Sequence, residues 1–245
     1  MNDHDKNLEL YVKTENYNAI NEFLIEASKT PHLKNLIDID YLIASSQDSL
    51  LHHFAINLIF LLGEIGKNHF LSHEYIKFLI ETYFKSDRWI RNEIILTFSK
   101  SIRIDDLFKK ILDVIEFALV DDYEPIKISA LKVIDLTKKI PERIFPKIIK
   151  NLESKNPKIV QKSVKVLKKH IESTDVLYEI LLKNNTINLY SKQILRSLLL
   201  AFFNEVHLVE EFREKIMKSD LDLAKKESLI SEIKTYQRIL QQRTL

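Results

Sequence analysis

Apolar residues recur three and four positions apart along most of this chain, the period of a helix with one buried face. Between His73 and Lys85, for instance, Ile76, Leu79, Ile80 and Tyr83 share one side. The same spacing predicts helices over 33–45, 73–85, 106–120, 142–153 and 175–183. Alternating with them are five segments that share a second pattern, opening on Leu51, Ile90, Ile126, Ile159 and Tyr190. Each runs from an apolar residue through polar or basic ones to a small or apolar residue four positions on (Ala55, Ile94, Ala130, Ser163, Ile194). The openings lie 39, 36, 33 and 31 residues apart. A period of that size holds two helices and two turns, whereas a coiled coil repeats every seven residues.

The boundaries carry start signals. Asn156-Pro157 reads as an N-cap followed by proline at the first helical position, and Glu124-Pro125 and Ile140-Pro141 also place proline at a helix start. Ser219 with Asp222 three residues on reads as a loose capping box. The stretches 7–28, 205–217 and 221–242 are amphipathic and predict end helices, which a stack of helix pairs needs to cover its terminal apolar faces. No Pro-, Gly- or Ser-rich linker interrupts the chain. The expectation is one domain over 1–245, with N-terminal capping helices in 1–33, repeats in 34–204 and C-terminal capping helices in 205–245.

Composition sharpens the fold class. There are only 2 glycines in 245 residues. A β-rich fold needs glycine for tight turns, and a phosphate-binding α/β enzyme needs it for its loops, so both are excluded. With no cysteine, disulfides, thiolate metal sites and cysteine nucleophiles are ruled out. The opening Met1-Asn2-Asp3-His4-Asp5-Lys6 lacks a signal-peptide pattern. The longest apolar run, Phe54 to Leu62, is far short of the roughly 20 residues that cross a bilayer. No membrane span and a cytoplasmic location are expected.

Particular residues resemble the HEAT-repeat family. Asp121-Asp122 precede Ile126-Lys127, and Asp87 precedes Ile90-Arg91, like the family's turn acid before an apolar-basic pair. Gly63-Glu64-Ile65-Gly66 resembles the sequence that ends many such helices, and Pro146 resembles the proline that bends many first helices. The likeness covers about 34–204. The fifth repeat lacks the turn acid and the small residue. The resemblance implies an all-α, right-handed α-solenoid of about five antiparallel helix pairs, and it implies protein binding more than any chemistry.

Candidate catalytic groups are weak. His69 and His73 stand four apart beside Glu74, but Leu71-Ser72 reads as a helix start, which leaves His69 in a turn. HEAT-like hydroxylases hold iron through several His-Glu pairs; this chain has one, His73-Glu74. No serine sits in a Gly-x-Ser-x-Gly elbow. Arg88-Trp89-Ile90-Arg91 resembles a helix start of the helical-repeat alkyl-base DNA glycosylases, yet the chain has one tryptophan and lacks the rest of that constellation. Arg91 and Lys127 fit pairing with a turn acid of a neighbouring repeat. The expectation is a protein that is not an enzyme, with no catalytic residue, metal or cofactor.

Stacked parallel helices turn equivalent positions into rows on a surface. Four positions of the second helices fall on one stripe at about 100° per residue. The stripe is apolar in the first repeat (Leu50, Phe54, Leu61), mixed around Trp89 and Leu96, and basic in the fourth, with Lys158, Lys162, Lys165 and Lys169. Its sixth-position column reads Asn57, Leu96, Lys132, Lys165 and Arg196. Residues 121–172 carry 13 Lys+Arg against 7 Asp+Glu, while the whole chain is only +2. A local positive field follows despite the balanced total.

These residues predict a scaffold or adaptor that binds an acidic or amphipathic protein segment along the second helices. Its candidate contact residues are Trp89, Leu96, Lys132, Lys158, Lys162, Lys165, Lys169 and Arg196. The alternative is nucleic-acid binding through 121–172, with Lys132, Lys165 and Arg196 spaced along a phosphate backbone. The scarcity of aromatics among the lysines weighs against single-strand binding. The plain reading of the lysines is a solvated face that keeps the chain soluble. The apolar end of the stripe has its own plain reading, a surface covered by the N-terminal helices.

Overall fold

Short polar side chains set where the helices begin. Asn16, Asp87, Asn156, Ser191 and Asp222 each accept a backbone N–H from the first turn that follows. These bonds satisfy donors that have no partner within the helix. In the computed structural model, which describes residues 3–45, 51–101, 103–183 and 191–243, the chain forms helices and no strand among those residues.

In order they are α1 (Asp3–Lys13), α2 (Tyr17–Lys29), α3 (Asn35–Ser45), α4 (Ala55–Gly66), α5 (His73–Lys85), α6 (Arg88–Lys100) and α7 (Ile104–Ala118). Then follow α8 (Glu124–Leu136), α9 (Phe145–Lys150), α10 (Pro157–His170), α11 (Thr174–Lys183), α12 (Lys192–Phe202), α13 (Val206–Lys218) and α14 (Leu223–Arg243). They form two compact units, Met1–Ala118 and Leu119–Leu245.

In the first unit, α1 packs on α2 and α3, α2 on α4, and α4 closely on α6. Helices α5 and α7 lie against α6 and each other. The core is aliphatic: Leu58, Ile59, Leu62, Ile94, Ile95, Phe98, Ile111 and Ile115 are all at most 1 % exposed. Polar staples cross from one helix to the next at long sequence separations. Asn57 Nδ2 donates to Asn21 Oδ1 at 2.6 Å, and Thr97 Oγ1 donates to the Ile59 carbonyl at 3.0 Å. The Tyr75 hydroxyl donates to Asp40 Oδ1 at 2.7 Å.

In the second unit α8, α10, α12 and α14 each pack on the next, and α13 pairs with α14. Asn156 Nδ2 donates to Glu124 Oε2 at 2.7 Å, and the Tyr236 hydroxyl donates to the Phe203 carbonyl at 3.1 Å. Asn151, itself buried, donates to the Leu119 carbonyl. The bonds of Thr97, Asn151 and Tyr236 satisfy polar groups that packing has removed from water.

Several expectations need correction. The helix expected over 142–153 is one α-helical stretch, α9, between two 3₁₀ turns, Glu142–Ile144 and Asn151–Glu153. Pro146 sits in the first turn of α9, where its missing N–H costs nothing, so it marks a start instead of bending a longer helix. The second-helix pattern opening on Leu51 is a turn through 52–54, and α4 begins only at Ala55. Asp222 caps α14 alone, because the Ser219 hydroxyl donates back to the Ile216 carbonyl. Leu50 and Tyr190 lie outside the described residues.

Candidate interaction faces

Asp87 builds the first face. Its Oδ1 accepts the N–H groups of Trp89 at 2.8 Å and Ile90 at 3.0 Å, which fixes the start of α6. From there the helix turns Ile90, Ile94, Ile95 and Phe98 into the core. The opposite stripe carries Trp89, Glu93, Leu96 and Lys100, spaced at i, i+4, i+7 and i+11. Trp89 is 54 % exposed, with the Arg88 guanidinium 5.1 Å from its ring centre, and Leu96 is half-buried.

The adjacent α4 adds Ile56 and Phe60, both exposed, and Glu64. Lys100 joins the two helices. Its ammonium lies 4.2 Å from the centre of the Phe60 ring, 3.1 Å from Glu64 Oε1 and 3.6 Å from Glu93 Oε1. Lys67 pairs with the other Glu64 oxygen. Burial lifts the Glu93 carboxyl above its ordinary value; Lys100 opposes that lift and the charge of Glu64 adds to it. The same burial acts on Glu64, but Lys67 and Lys100 together outweigh it and hold that carboxyl below its ordinary value. Glu93 Oε1 is enclosed and has no hydrogen-bond partner.

This face is therefore an aromatic and aliphatic surface around one half-buried Glu64–Lys100–Glu93 cluster. Phe54 and Leu61, expected at the apolar end of the stripe, are instead core residues at 2 % and 0 % exposure. Asn57, beside them, is held by Asn21 of α2. Helix α2 packs on α4, and its Asn21 side chain also donates to the His53 carbonyl at 3.1 Å.

The second face lies on α8, α10 and α12. Lys132, Lys158, Lys165, Lys169 and Arg196 are exposed, and Lys162 is half-buried. Acids from neighbouring helices answer several of these charges. Asp135 Oδ2 sits 2.5 Å from Lys165, and the Asp135 carbonyl accepts from Lys169. Glu232 of α14 receives Arg196 at 3.0 Å and Lys192 at 3.2 Å. Burial raises the Glu232 carboxyl, but those two cations outweigh it and leave it below its ordinary value. Lys132, Lys158 and Lys162 make no ion pair among the described residues.

Of the eight sequence-derived candidates, the fold brings Trp89 and Leu96 together on α6 in the first unit. It brings Lys158, Lys162, Lys165 and Lys169 together on α10, with Lys132 and Arg196 on the helices that flank it, in the second. Arg91 donates to the Ser86 carbonyl at 3.0 Å, and Asp87 meets His52 at 3.5 Å. His69 lies in a turn and His73 starts α5; no group of three or more metal-ligating side chains converges among the described residues. No helix there is long and apolar enough to cross a membrane.

Sequence reasoning missed Ile56, Phe60 and Glu64. Their signal was the i, i+4, i+8 spacing within an apolar run that reads as wholly buried. No protein-family model matches the chain, and no curated protein matches its sequence.

Proposed function

We propose that this chain is a HEAT-like, right-handed α-solenoid scaffold or adaptor of about five helix pairs with a capping hairpin at each end. It carries out no catalysis and binds a protein segment over its second helices, in the cytoplasm. The spacing of its staples supports the repeat: Asn21–Asn57 and Arg196–Glu232 span 36 positions, Ile59–Thr97 spans 38, Glu124–Asn156 spans 32 and Phe203–Tyr236 spans 33. Those separations match the period in the sequence, as a stack in which each pair touches the next requires.

The observation that carries the binding reading is that Trp89 on α6 and Ile56 and Phe60 on α4, the helix packed closely against it, are all exposed. Large apolar side chains exposed on two adjoining helices, a tryptophan among them, are the composition of an interface anchor. The bound segment is amphipathic, its apolar side chains on Trp89 and Phe60. The test is affinity capture from native extract with wild-type chain and with Trp89→Ala. A stoichiometric protein that is lost with the variant and retained after nuclease supports the reading. Equal capture by both chains contradicts it.

Nucleic-acid binding through Lys132, Lys158 and Lys162 is the second reading, favoured because they make no ion pair among the described residues. Against it, Asp135 and Glu232 already hold Lys165, Lys192 and Arg196. A salt titration decides: steep salt dependence that Lys158→Glu and Lys162→Glu abolish favours nucleic acid, and no binding at low salt excludes it.

A further inference from the structure

The last described hairpin has an apolar outer side, and this concerns a surface separate from the Trp89 face. Helix α14 turns Leu229, Ile233 and Tyr236 inward, and on its α12 side it presents Glu232 to Arg196 and Tyr236 to the Phe203 carbonyl. Ile230 and Lys234 lie about 200° round the helix from Glu232. They therefore point away from α12. There Met217, Leu223 and Ile230 floor a trough between α13 and α14, made of two adjoining hollows of about 330 and 410 Å³. Met217 is 56 % exposed and Leu223 71 %. Met217, Leu223 and Ile230 thus form an apolar patch open to water, the kind of surface that marks an interaction site.

The shape and the charge say which. The two helices run antiparallel, with Gln237 donating to Glu210 at 3.0 Å and Lys226 donating to the Met217 carbonyl at 2.9 Å. The trough follows their axes. Leu223 and Ile230 stand seven residues apart, about 10 Å along α14, which is two helical turns. A third helix offering apolar residues at i, i+4 and i+7 fits such a groove. The rim holds four cations, Arg213, Lys218, Lys226 and Lys234, against Glu214 and Glu227. Glu214 is engaged by Lys218 at 3.6 Å, while Arg213 and Lys234 have no ion pair among the described residues. A second copy of this face would set excess positive charge against itself. We infer that the trough is a docking site for an amphipathic helix of a partner protein whose apolar stripe is flanked by acidic residues.

The test uses two synthetic helical peptides of about 15 residues, long enough to hold a helix, with identical leucine stripes and either Glu or Lys flanks. Fluorescence anisotropy with the full chain reads their affinities at physiological salt. The Glu-flanked peptide is expected to bind at least about tenfold tighter than the Lys-flanked one. Met217→Glu with Leu223→Glu, both at exposed positions, is expected to weaken it about tenfold or more, as is Arg213→Glu with Lys234→Glu. Trp89→Ala is expected to leave it unchanged, which separates this site from the proposed scaffold face. Equal affinity for the two peptides, no binding of either, or binding that survives both double variants overturns the inference. So does sedimentation showing a self-association that Met217→Glu abolishes, because a second copy then fills the trough.

Discussion

Gly63 and Thr97 set how closely α4 and α6 approach. A side-chain carbon added at Gly63 would lie 2.8 Å from the Thr97 hydroxyl oxygen and 3.1 Å from the Lys100 stem. That hydroxyl is itself buried and bonded to the Ile59 carbonyl. The missing side chain thus lets two helices meet and brings Lys100 within reach of Glu64. Gly63→Ala is expected to cost about 1–3 kcal/mol through overpacking. Thr97→Ala in the same chain removes the clashing oxygen and should recover part of that loss. Urea unfolding of both single variants and the double variant checks it; strictly additive effects would mean that the two positions do not touch.

Glu93 predicts a pH dependence of definite sign. Its carboxyl is raised above the ordinary 4.5 by burial. The folded chain therefore holds that proton more tightly than the unfolded chain does. This contribution to stability is fully present below the ordinary value and is lost as pH rises through the folded one. Glu93→Gln removes the buried charge and should raise Tm at pH 7 to 8, with the gain shrinking toward pH 4.5. A variant less stable than wild type at neutral pH would show that the ion pair with Lys100 outweighs the burial.

Asp135 and Glu232 restrain the basic row. Replacing them by Asn and Gln frees Lys165, Lys192 and Arg196 while losing only exposed or half-exposed ion pairs, about 0–1 kcal/mol each. The double variant should elute from immobilised heparin at distinctly higher salt than wild type. Unchanged elution would mean that the acids leave the surface potential as it is.

Asn156 caps α10 through the Lys158 N–H at 2.9 Å and also reaches Glu124 on α8. Asn156→Ala should destabilise by about 1 kcal/mol from the cap. Asn156→Asp keeps a capping oxygen but sets it against Glu124, so it should fall between alanine and wild type in thermal unfolding.

The helices were legible because their signals are local. The expected 73–85 matches α5 end for end, and Asp87 and Asn156 cap α6 and α10 as short polar residues do. The 3₁₀ turns around α9 escaped because apolar spacing over 142–153 fits one helix, and only Pro146 hinted at a later start. The candidate site was half legible. Trp89 and the α10 lysines follow from lining up the repeats. The Glu64–Lys100–Glu93 cluster does not, since it depends on the register between two helices that Gly63 sets. The burial of Phe54 and Leu61 agrees with the plain reading of the apolar end as a covered surface; spacing along one helix does not choose between that and an open stripe.

The central claim is that the Trp89 face binds protein. A photo-crosslinking residue at position 96, beside Trp89 on the same stripe, tests it in native extract against one at position 162. The account predicts one discrete protein adduct at 96, absent when Phe60→Glu is added and unchanged by nuclease. No adduct at 96, or a nucleic-acid adduct at 162, would contradict it.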